Sequence, residues 1–261
     1  MPREYFTKNR PRARRIFGRI RAMSYETLTL KAAAAHLHMD ERELLHAAQR
    51  GEVAAEKRGD DWVFEHRLLD EWAQRRVLEL TKKDLRSVHA EETRAARGAD
   101  GSDLVVSELL CQGAVVLDLP SKTKGGILRD MADLADKTGY VYDPDEYYRE
   151  LVSREEAAST ALPGGVAFLH ARFHDPYHAS DSFLLFARAR QPVFFGAPDD
   201  EPTDLFFLVF CTTHERHLHV LSRLAMMASH TNLLESLRAA TSEDEVRAVV
   251  LAAEKETEKS V

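Results

Sequence analysis

Residues 154–177 read REEAASTALPGGVAFLHARFHDPY, and this stretch decides the fold of the larger part of the chain. Its apolar run GVAFLH, at 165–170, is typical of a buried strand. The helical pattern PDEYYRELVSREEA ends shortly before the Gly-containing turn that precedes this run. The stretch therefore predicts a helix, a turn and a strand that ends at His170.

The same alternation of apolar runs and helical patterns continues on both sides of this stretch. Strands that alternate with amphipathic helices indicate an α/β layer structure. The predicted strands are AVVLDL, GVAFLH, SFLLFARA and DLFFLVFC. The predicted helices are KGGILRDMADLADKTG, PDEYYRELVSREEA, ERHLHVLSRLAMMASH and SEDEVRAVVLAAEKE.

The composition is that of a soluble globular chain with room for two domains: 261 residues, of which 44% are hydrophobic and 30% charged. The longest apolar run, LFFLVFC at 205–211, is far too short to cross a bilayer, and no secretory signal is recognisable. Cys111 and Cys211 form neither a metal nor a redox spacing, which fits a reducing cytoplasm, and two cysteines are too few for a disulfide scaffold. We therefore expect a cytoplasmic protein without membrane insertion.

Charge and hydrophobicity divide the chain into four segments. Residues 1–23 form a basic arm, predicted to be disordered, with eight Arg or Lys side chains against one acid, although the whole chain carries a net charge of −7. Such an arm can hold a polyanion by releasing counterions, and it is also typical of a solvated tail or of residues upstream of a start at Met23. The other segments are a compact helical unit at 25–78, a charged helix or linker at 79–103 and the α/β domain at 104–254.

The unit at 25–78 begins with two short helices, predicted at 30–36 and 41–49. Gly51 ends the second helix, because only glycine adopts a left-handed conformation at little energetic cost. A hairpin and a closing helix with Trp72 on its inner face complete the unit. This layout resembles the excisionase-like winged helix-turn-helix, which is related to the MerR group.

The resemblance implies DNA binding, with the second helix in the major groove and the hairpin as the wing. The start of that second helix carries the acidic residues Asp40, Glu41 and Glu43, and acidic side chains that face phosphates repel them. A protein-interaction or dimerising role therefore stays open beside DNA binding. The candidate DNA-contacting side chains are Arg42, Gln49, Arg50, Lys57 and Arg58.

The pattern at 154–170 resembles the fructose/mannitol-type enzyme IIA domain of the sugar phosphotransferase system, including its nitrogen-regulatory branch. In that family an arginine, a Ser/Thr pair, a Gly-containing loop and a short strand precede a histidine. Further similarity at 107–134, 217–225 and 236–250 extends the resemblance over most of the segment 104–254, and it implies a mixed β-sheet flanked by helices. The matching positions are Arg154, Ser159, Thr160, Gly164, Gly165, Val166, Ala167 and His170.

The resemblance implies that His170 accepts a phosphoryl group through Nε2, from the histidine carrier HPr or its nitrogen-branch paralogue. A neutral imidazole nitrogen takes up a phosphoryl group and returns it readily. His217 would lie beside it and hydrogen-bond the phosphoryl group, and Arg154 would supply a two-pronged cation for the phosphate oxygens. The remaining pocket lining would come from Thr160 and from the backbone amides of Gly164 and Gly165.

These features predict a phosphorylation-dependent regulator with an HPr-type donor and a regulatory protein or DNA as its target. Leu169 and Ala171 stand where the family usually has Pro and Gly, and both changes alter how the loop presents the ring of His170. Two alternatives therefore stay open. One is a sugar-transport subunit that passes phosphate to a separate IIB protein, and the other is a DNA-binding regulator whose IIA-like domain is not phosphorylated.

No cofactor and no metal site are expected from the sequence. His170, His174 and His178 recur at four-residue spacing, which on a helix would align metal ligands. The dipeptide Asp175-Pro176 breaks a helix between them, and no glutamate completes an HExxH pattern. We therefore interpret His174 and His178 as loop residues near the mouth of the pocket.

Overall fold

The computed structural model describes residues 27–37, 39–79, 106–172 and 178–258. The predicted basic arm at 1–23, nearly all of the predicted linker at 79–103 and His174 lie outside these residues. Within the described ranges, no helix combines the length and the apolar character that a bilayer span requires.

Residues 27–79 form a small unit of helices and a three-stranded sheet. Its elements are β1 (Thr27–Thr29), α1 (Leu30–His36), α2 (Glu41–Gln49), β2 (Glu56–Arg58), β3 (Asp61–Glu65) and α3 (His66–Glu79). The sheet is antiparallel, with the strand order β1-β3-β2. The two predicted short helices are confirmed with their predicted bounds.

The acids at the start of α2 have a structural reason. Asp40 is the N-cap residue, and its carboxylate accepts hydrogen bonds from the backbone amides of Arg42 and Glu43. Carboxylates in the first turn also interact favourably with the positive end of the helix dipole. At the other end of α2, Gly51 adopts the predicted left-handed conformation with φ +72°.

Residues 106–258 form the predicted α/β layer structure. Its strands are β4 (Leu110–Leu119), β5 (Ala161–Leu162), β6 (Val166–Leu169), β7 (Phe183–Val193) and β8 (Thr203–Phe210). Its helices are α4 (Val106–Leu109), α5 (Lys124–Thr138), α6 (Pro144–Ala157), α7 (His214–His230), α8 (Leu233–Ala239) and α9 (Glu243–Glu258). The sheet order is β4-β7-β8-β6-β5, with β4 parallel to β7, β6 parallel to β8 and the other neighbours antiparallel. The expectation of a mixed sheet flanked by helices is confirmed.

Helices cover both faces of this sheet, so its central strands are apolar on both sides. On one face α5 and α6 pack on a cluster that contains Ala167 and Leu169. On the other face α7, α8 and α9 pack on a cluster that contains Val166 and Phe168. Because side chains alternate along a strand, His170 follows Phe168 toward the α7 side as the chain leaves β6.

The N-terminal unit packs against the end of the sheet where His170 lies. Helix α3 contacts α7, and the buried side chains of the N-terminal unit are continuous with those of the α7 face. Contacts between the units include an ion pair of Arg172 with Glu71, at 3.3 Å, and a contact of 3.2 Å between Nε2 of His214 and Oδ1 of Asp70.

Candidate functional site

His170 is the first residue after β6, and its ring is held by two hydrogen bonds. Nδ1 lies 2.8 Å from the carbonyl oxygen of Phe168, and Nε2 lies 3.0 Å from Nε of Arg154. A guanidinium N–H can only donate, so Nε2 is the acceptor and carries the lone pair. Nδ1 then carries the hydrogen and donates it to the carbonyl. The hydrogen bonds therefore select one neutral tautomer of the imidazole.

The surroundings of His170 keep its ring uncharged. Only 1% of the residue is exposed, and burial, together with the positive charge of Arg154, lowers the pKa of His170 to about 3. At neutral pH the ring is therefore an uncharged base. Such a nitrogen is the nucleophile that phosphoryl transfer to histidine requires.

Arg154 lies in the last turn of α6 and is almost completely buried. Besides its contact with His170, its Nη1 donates a hydrogen bond of 2.6 Å to the carbonyl of Ala158. The guanidinium is thus fixed beside Nε2 by the end of its own helix. A cation held at that place is positioned to neutralise phosphate oxygens near Nε2.

His217 lies in the first turn of α7, and its buried ring packs edge-on against His170. The ring centroids are 5.2 Å apart, with an interplanar angle of 63°. Thr213 caps α7, whose positive dipole end therefore lies in the same region. The structure thus brings together the three residues predicted for the reaction, His170, His217 and Arg154.

Thr160 is buried, but its hydroxyl is committed to Glu155. Its Oγ1 donates to this carboxylate over 2.6 Å, and its backbone amide donates over 3.1 Å. Lys124 forms an ion pair of 2.7 Å with the same carboxylate. Glu155 and Lys124 were not predicted as site residues, because a glutamate and a lysine at helix ends usually lie on the surface. In the fold they anchor the segment that follows Arg154.

The prediction for Gly164 and Gly165 needs correction. Their turn precedes β6, whereas His170 follows it, so the strand separates them at about 3.3 Å per residue. Both glycines have positive φ, and the amide of Gly164 donates to the carboxylate of Asp199. These glycines therefore shape the hairpin between β5 and β6 and do not line the pocket of His170.

The five candidate DNA-contacting residues lie on the exposed surface of the N-terminal unit. Arg50 forms an ion pair with Glu52, and Arg58 forms one with Glu56. Both pairs lie within the unit itself. Of the five candidates, Arg42, Gln49 and Arg50 belong to α2 or its C-cap, and Lys57 and Arg58 belong to β2.

The histidines at four-residue spacing do not share a helix in the described part of the chain. His170 follows a strand, and His178 lies in a bend beside Tyr147, with ring centroids 5.8 Å apart. His178 is buried, so it does not lie at an open pocket mouth. The prediction for His174 falls outside the described residues.

Residues 108–253 match the model of the family described as "Phosphoenolpyruvate-dependent sugar phosphotransferase system, EIIA 2". The match covers more than half of the chain and spans β4 to α9, including His170, His217 and Arg154. The N-terminal unit at 27–79 lies outside it.

Similar proteins include two from the sugar phosphotransferase system. The fructose-specific EIIABC component of Bacillus subtilis (strain 168) is 28% identical over 143 residues, which are 54% of this chain but 22% of that protein. The fructose-specific EIIA component of Haloferax volcanii is 32% identical over 138 residues, which are 52% of this chain and 88% of that protein. Among solved structures, the nitrogen regulatory protein IIA-Ntr of Neisseria meningitidis superposes with a TM-score of 0.51 at 31% identity, covering 56% of this chain and 98% of that one.

Proposed function

The chain belongs to the EIIA 2 family of the phosphoenolpyruvate-dependent sugar phosphotransferase system, and on that basis we propose that it is a phosphorylation-dependent regulator that accepts a phosphoryl group on Nε2 of His170. One observation carries the proposal. Nδ1 of His170 is bound to the Phe168 carbonyl, while Nε2 has its lone pair directed at the guanidinium of Arg154. The neutral ring therefore presents its nucleophilic atom beside a fixed cation.

The donor in this proposal is a phosphohistidine carrier, HPr or a nitrogen-branch paralogue. The bond between phosphorus and the donor's ring nitrogen breaks, and its electron pair stays on that nitrogen. A new bond forms between phosphorus and Nε2 of His170, while the hydrogen stays on Nδ1 and remains hydrogen-bonded to the carbonyl of Phe168. The transition state is loose, with charge on the three equatorial oxygens, so Arg154 and His217 act by positioning and neutralising these oxygens.

The contacts of the N-terminal unit favour a regulatory role over a simple relay. Glu71 and Asp70 of α3 are bound to Arg172 and His214, which lie close to His170 and His217 in the chain. A phosphoryl group adds roughly −1.5 to −2 charges near neutral pH. Because like charges repel, a phosphoryl group at His170 weakens the contact with these carboxylates, and the state of His170 changes how the N-terminal unit is held.

We further propose that residues 25–78 are a winged helix-turn-helix, since α1, α2 and the β2–β3 hairpin follow one another as in that fold. Its charges favour a protein partner over DNA. Asp40, Glu41 and Glu43 surround the start of α2, and Arg50 and Arg58 are neutralised by neighbouring glutamates. Binding of the phosphorylated and unphosphorylated full chain to random-sequence duplex DNA at two salt concentrations tests this: affinity with a steep salt dependence would favour DNA.

Phosphotransfer to the purified chain tests the proposal. The protein is incubated with phosphoenolpyruvate, enzyme I and either HPr or the nitrogen-branch paralogue, and its intact mass is recorded. We expect one acid-labile phosphoryl group per chain. It should be absent from His170→Ala and present in His46→Ala, because His46 is an exposed histidine on α2. No gain of mass from either donor would contradict the proposal. Transfer onward to a IIB protein would instead support a transport subunit.

A further inference from the structure

We propose that His36, His66 and Asp70, with His214 as the candidate fourth ligand, form a binding site for a divalent transition-metal ion of the Zn²⁺ type, placed where the N-terminal unit contacts residues 106–258. His36 ends α1, His66 and Asp70 lie one turn apart at the start of α3, and His214 is the first residue of α7. None of the four takes part in the reaction proposed for His170. Three of them, His36, His66 and Asp70, place ligand atoms within 4.8 Å of one another.

The distances within the group of His36, His66 and Asp70 are close to those between ligands of one metal ion, and His214 lies beside the carboxylate. Nε2 of His36 lies 2.7 Å from Oδ1 of Asp70, and Nε2 of His214 lies 3.2 Å from the same oxygen. Nε2 of His66 lies 3.2 Å from Nε2 of His36 and 3.9 Å from Oδ2 of Asp70. Ligands that bind Zn²⁺ at about 2.0–2.1 Å in a tetrahedron are about 3.3 Å apart. Small side-chain shifts are therefore enough to admit the ion.

The ring orientations also point to a shared ligand. His36 stacks on His214 with centroids 4.8 Å apart, and His66 meets the ring of His36 edge-on at 4.5 Å. In each of the three rings, Nε2 is the atom that lies next to Asp70. A hydrogen bond between a histidine and a carboxylate involves only one imidazole ring. Three imidazole nitrogens that converge on one largely buried carboxylate form an arrangement that can hold a cation.

The donor set identifies the class of metal. Three imidazoles and one carboxylate are borderline ligands that suit Zn²⁺, and they also bind Co²⁺, Ni²⁺ and Cu²⁺. Mg²⁺ and Ca²⁺ prefer oxygen ligands, so they are excluded as the main occupant. His36, His66 and Asp70 supply three ligands, and His214, whose Nε2 lies beside Asp70, is the candidate for the fourth position of the tetrahedron.

The proposed ion would join the two parts of the chain at a defined place. His36, His66 and Asp70 belong to the N-terminal unit, whereas His214 opens α7, one turn before His217. Metal bound there would strengthen the contact between α3 and α7 and hold the N-terminal unit beside His170. The proposed metal binding does not depend on phosphorylation of His170. An effect of the bound metal on phosphoryl transfer rests on the proposed function.

Metal binding to the tag-free full chain tests the proposal. After treatment with a chelator, Zn²⁺ is titrated against a chromophoric competitor, and Co²⁺ is titrated while its visible absorption is recorded. We expect one ion per chain and the intense visible bands of tetrahedral Co²⁺. Affinity should fall at least tenfold in His66→Ala and Asp70→Asn, since loss of one ligand removes a metal bond. His46→Ala and His170→Ala should bind as the wild type does.

Two results would overturn the proposal: a wild type that takes up no stoichiometric Zn²⁺, or ligand variants that bind it as tightly as His46→Ala. Circular dichroism of each metal-free variant separates lost binding from lost folding. If a ligand variant does not fold, the Co²⁺ spectrum of the wild type decides, because octahedral Co²⁺ absorbs only weakly and would exclude a four-ligand site. Retained Zn²⁺ binding with no phosphorylation would refute the proposed function but not the metal site.

Discussion

Nε of Arg154 donates a hydrogen bond of 3.0 Å to Nε2 of His170, and this contact decides which ring nitrogen carries the lone pair. The opposite nitrogen is bound to the carbonyl of Phe168, so both ends of the ring are specified. The same guanidinium can turn its donors to the phosphoryl oxygens once phosphorus bonds to Nε2. Arg154 therefore links the resting state of the site to its phosphorylated state.

Arg154→Gln should slow phosphoryl transfer to His170 by about 100-fold, because loss of one fixed donor at a developing charge has an effect of roughly this size. The substitution should also raise the pKa of His170, since the positive charge of Arg154 helps to lower it. Rapid-quench transfer from phosphorylated HPr measures the rate. Arg129→Gln is the matched control, because Arg129 is an exposed arginine on α5 that pairs with Asp145. Equal transfer rates in the two variants would show that Arg154 takes no part in phosphoryl transfer.

The ion pair between Glu71 and Arg172 should restrain transfer. The pair is partly shielded from solvent, at side-chain exposures of 15% and 33%, and such a pair contributes about 1 kcal/mol. Glu71→Gln should therefore increase the transfer rate about fivefold if the N-terminal unit must move before a donor reaches His170. Glu56→Gln, which breaks an ion pair within β2, should leave the rate unchanged. A slower Glu71→Gln variant would show that the contact assists transfer.

The pH dependence of stability should report the buried neutral ring of His170. Its pKa is about 3 in the folded protein and about 6.5 in the unfolded chain, so the unfolded chain binds the extra proton between these values. The contribution of His170 is therefore complete above pH 6.5 and is lost as the pH falls toward 3. Denaturant unfolding at several pH values should show a shallower decline for His170→Gln than for the wild type. Parallel curves would mean that the pKa of His170 is the same in the folded and the unfolded protein.

Thr160→Val should lower stability rather than activity. Its hydroxyl and amide both bind the buried carboxylate of Glu155, and loss of the hydroxyl leaves that carboxylate with one hydrogen bond fewer, at about 1–3 kcal/mol. Denaturant unfolding measures the loss, and the transfer assay should show little change. Thr138→Val, at the end of α5 and away from His170, is the control and should leave the transfer rate unchanged. A large loss of transfer rate with unchanged stability would instead assign the hydroxyl to phosphoryl binding.

The periodic parts of the chain were predictable from the sequence. The alternation of apolar runs with helical patterns indicated the layer structure, and the chain order placed His170 at the end of a buried strand. Arg154 and His217 followed from the family resemblance, since no local pattern brings residues from α6 and α7 to one strand end. The glycine turn was assigned to the pocket wrongly, because proximity in sequence does not say at which end of a strand a turn lies.

Contacts between distant segments could not be predicted. Glu155 and Lys124 resemble surface charges in the sequence, and they meet only because α5 and α6 pack side by side. Likewise, His36 and His214 are far apart in the chain, and no spacing rule joins them. Regular spacing pointed to His170, His174 and His178, whereas the proposed ligands come from three helices in two parts of the chain.

The position of the phosphoryl group on the ring tests the central claim most directly. The protein is labelled with ¹⁵N-histidine and phosphorylated by enzyme I and an HPr-type donor, and coupling of ³¹P to the ring nitrogens is recorded by NMR, with His170→Ala providing the assignment. We predict coupling to Nε2 of His170, because Nδ1 carries a hydrogen that it donates to the carbonyl of Phe168. Coupling to Nδ1, coupling to a different histidine, or the absence of phosphohistidine would contradict the account.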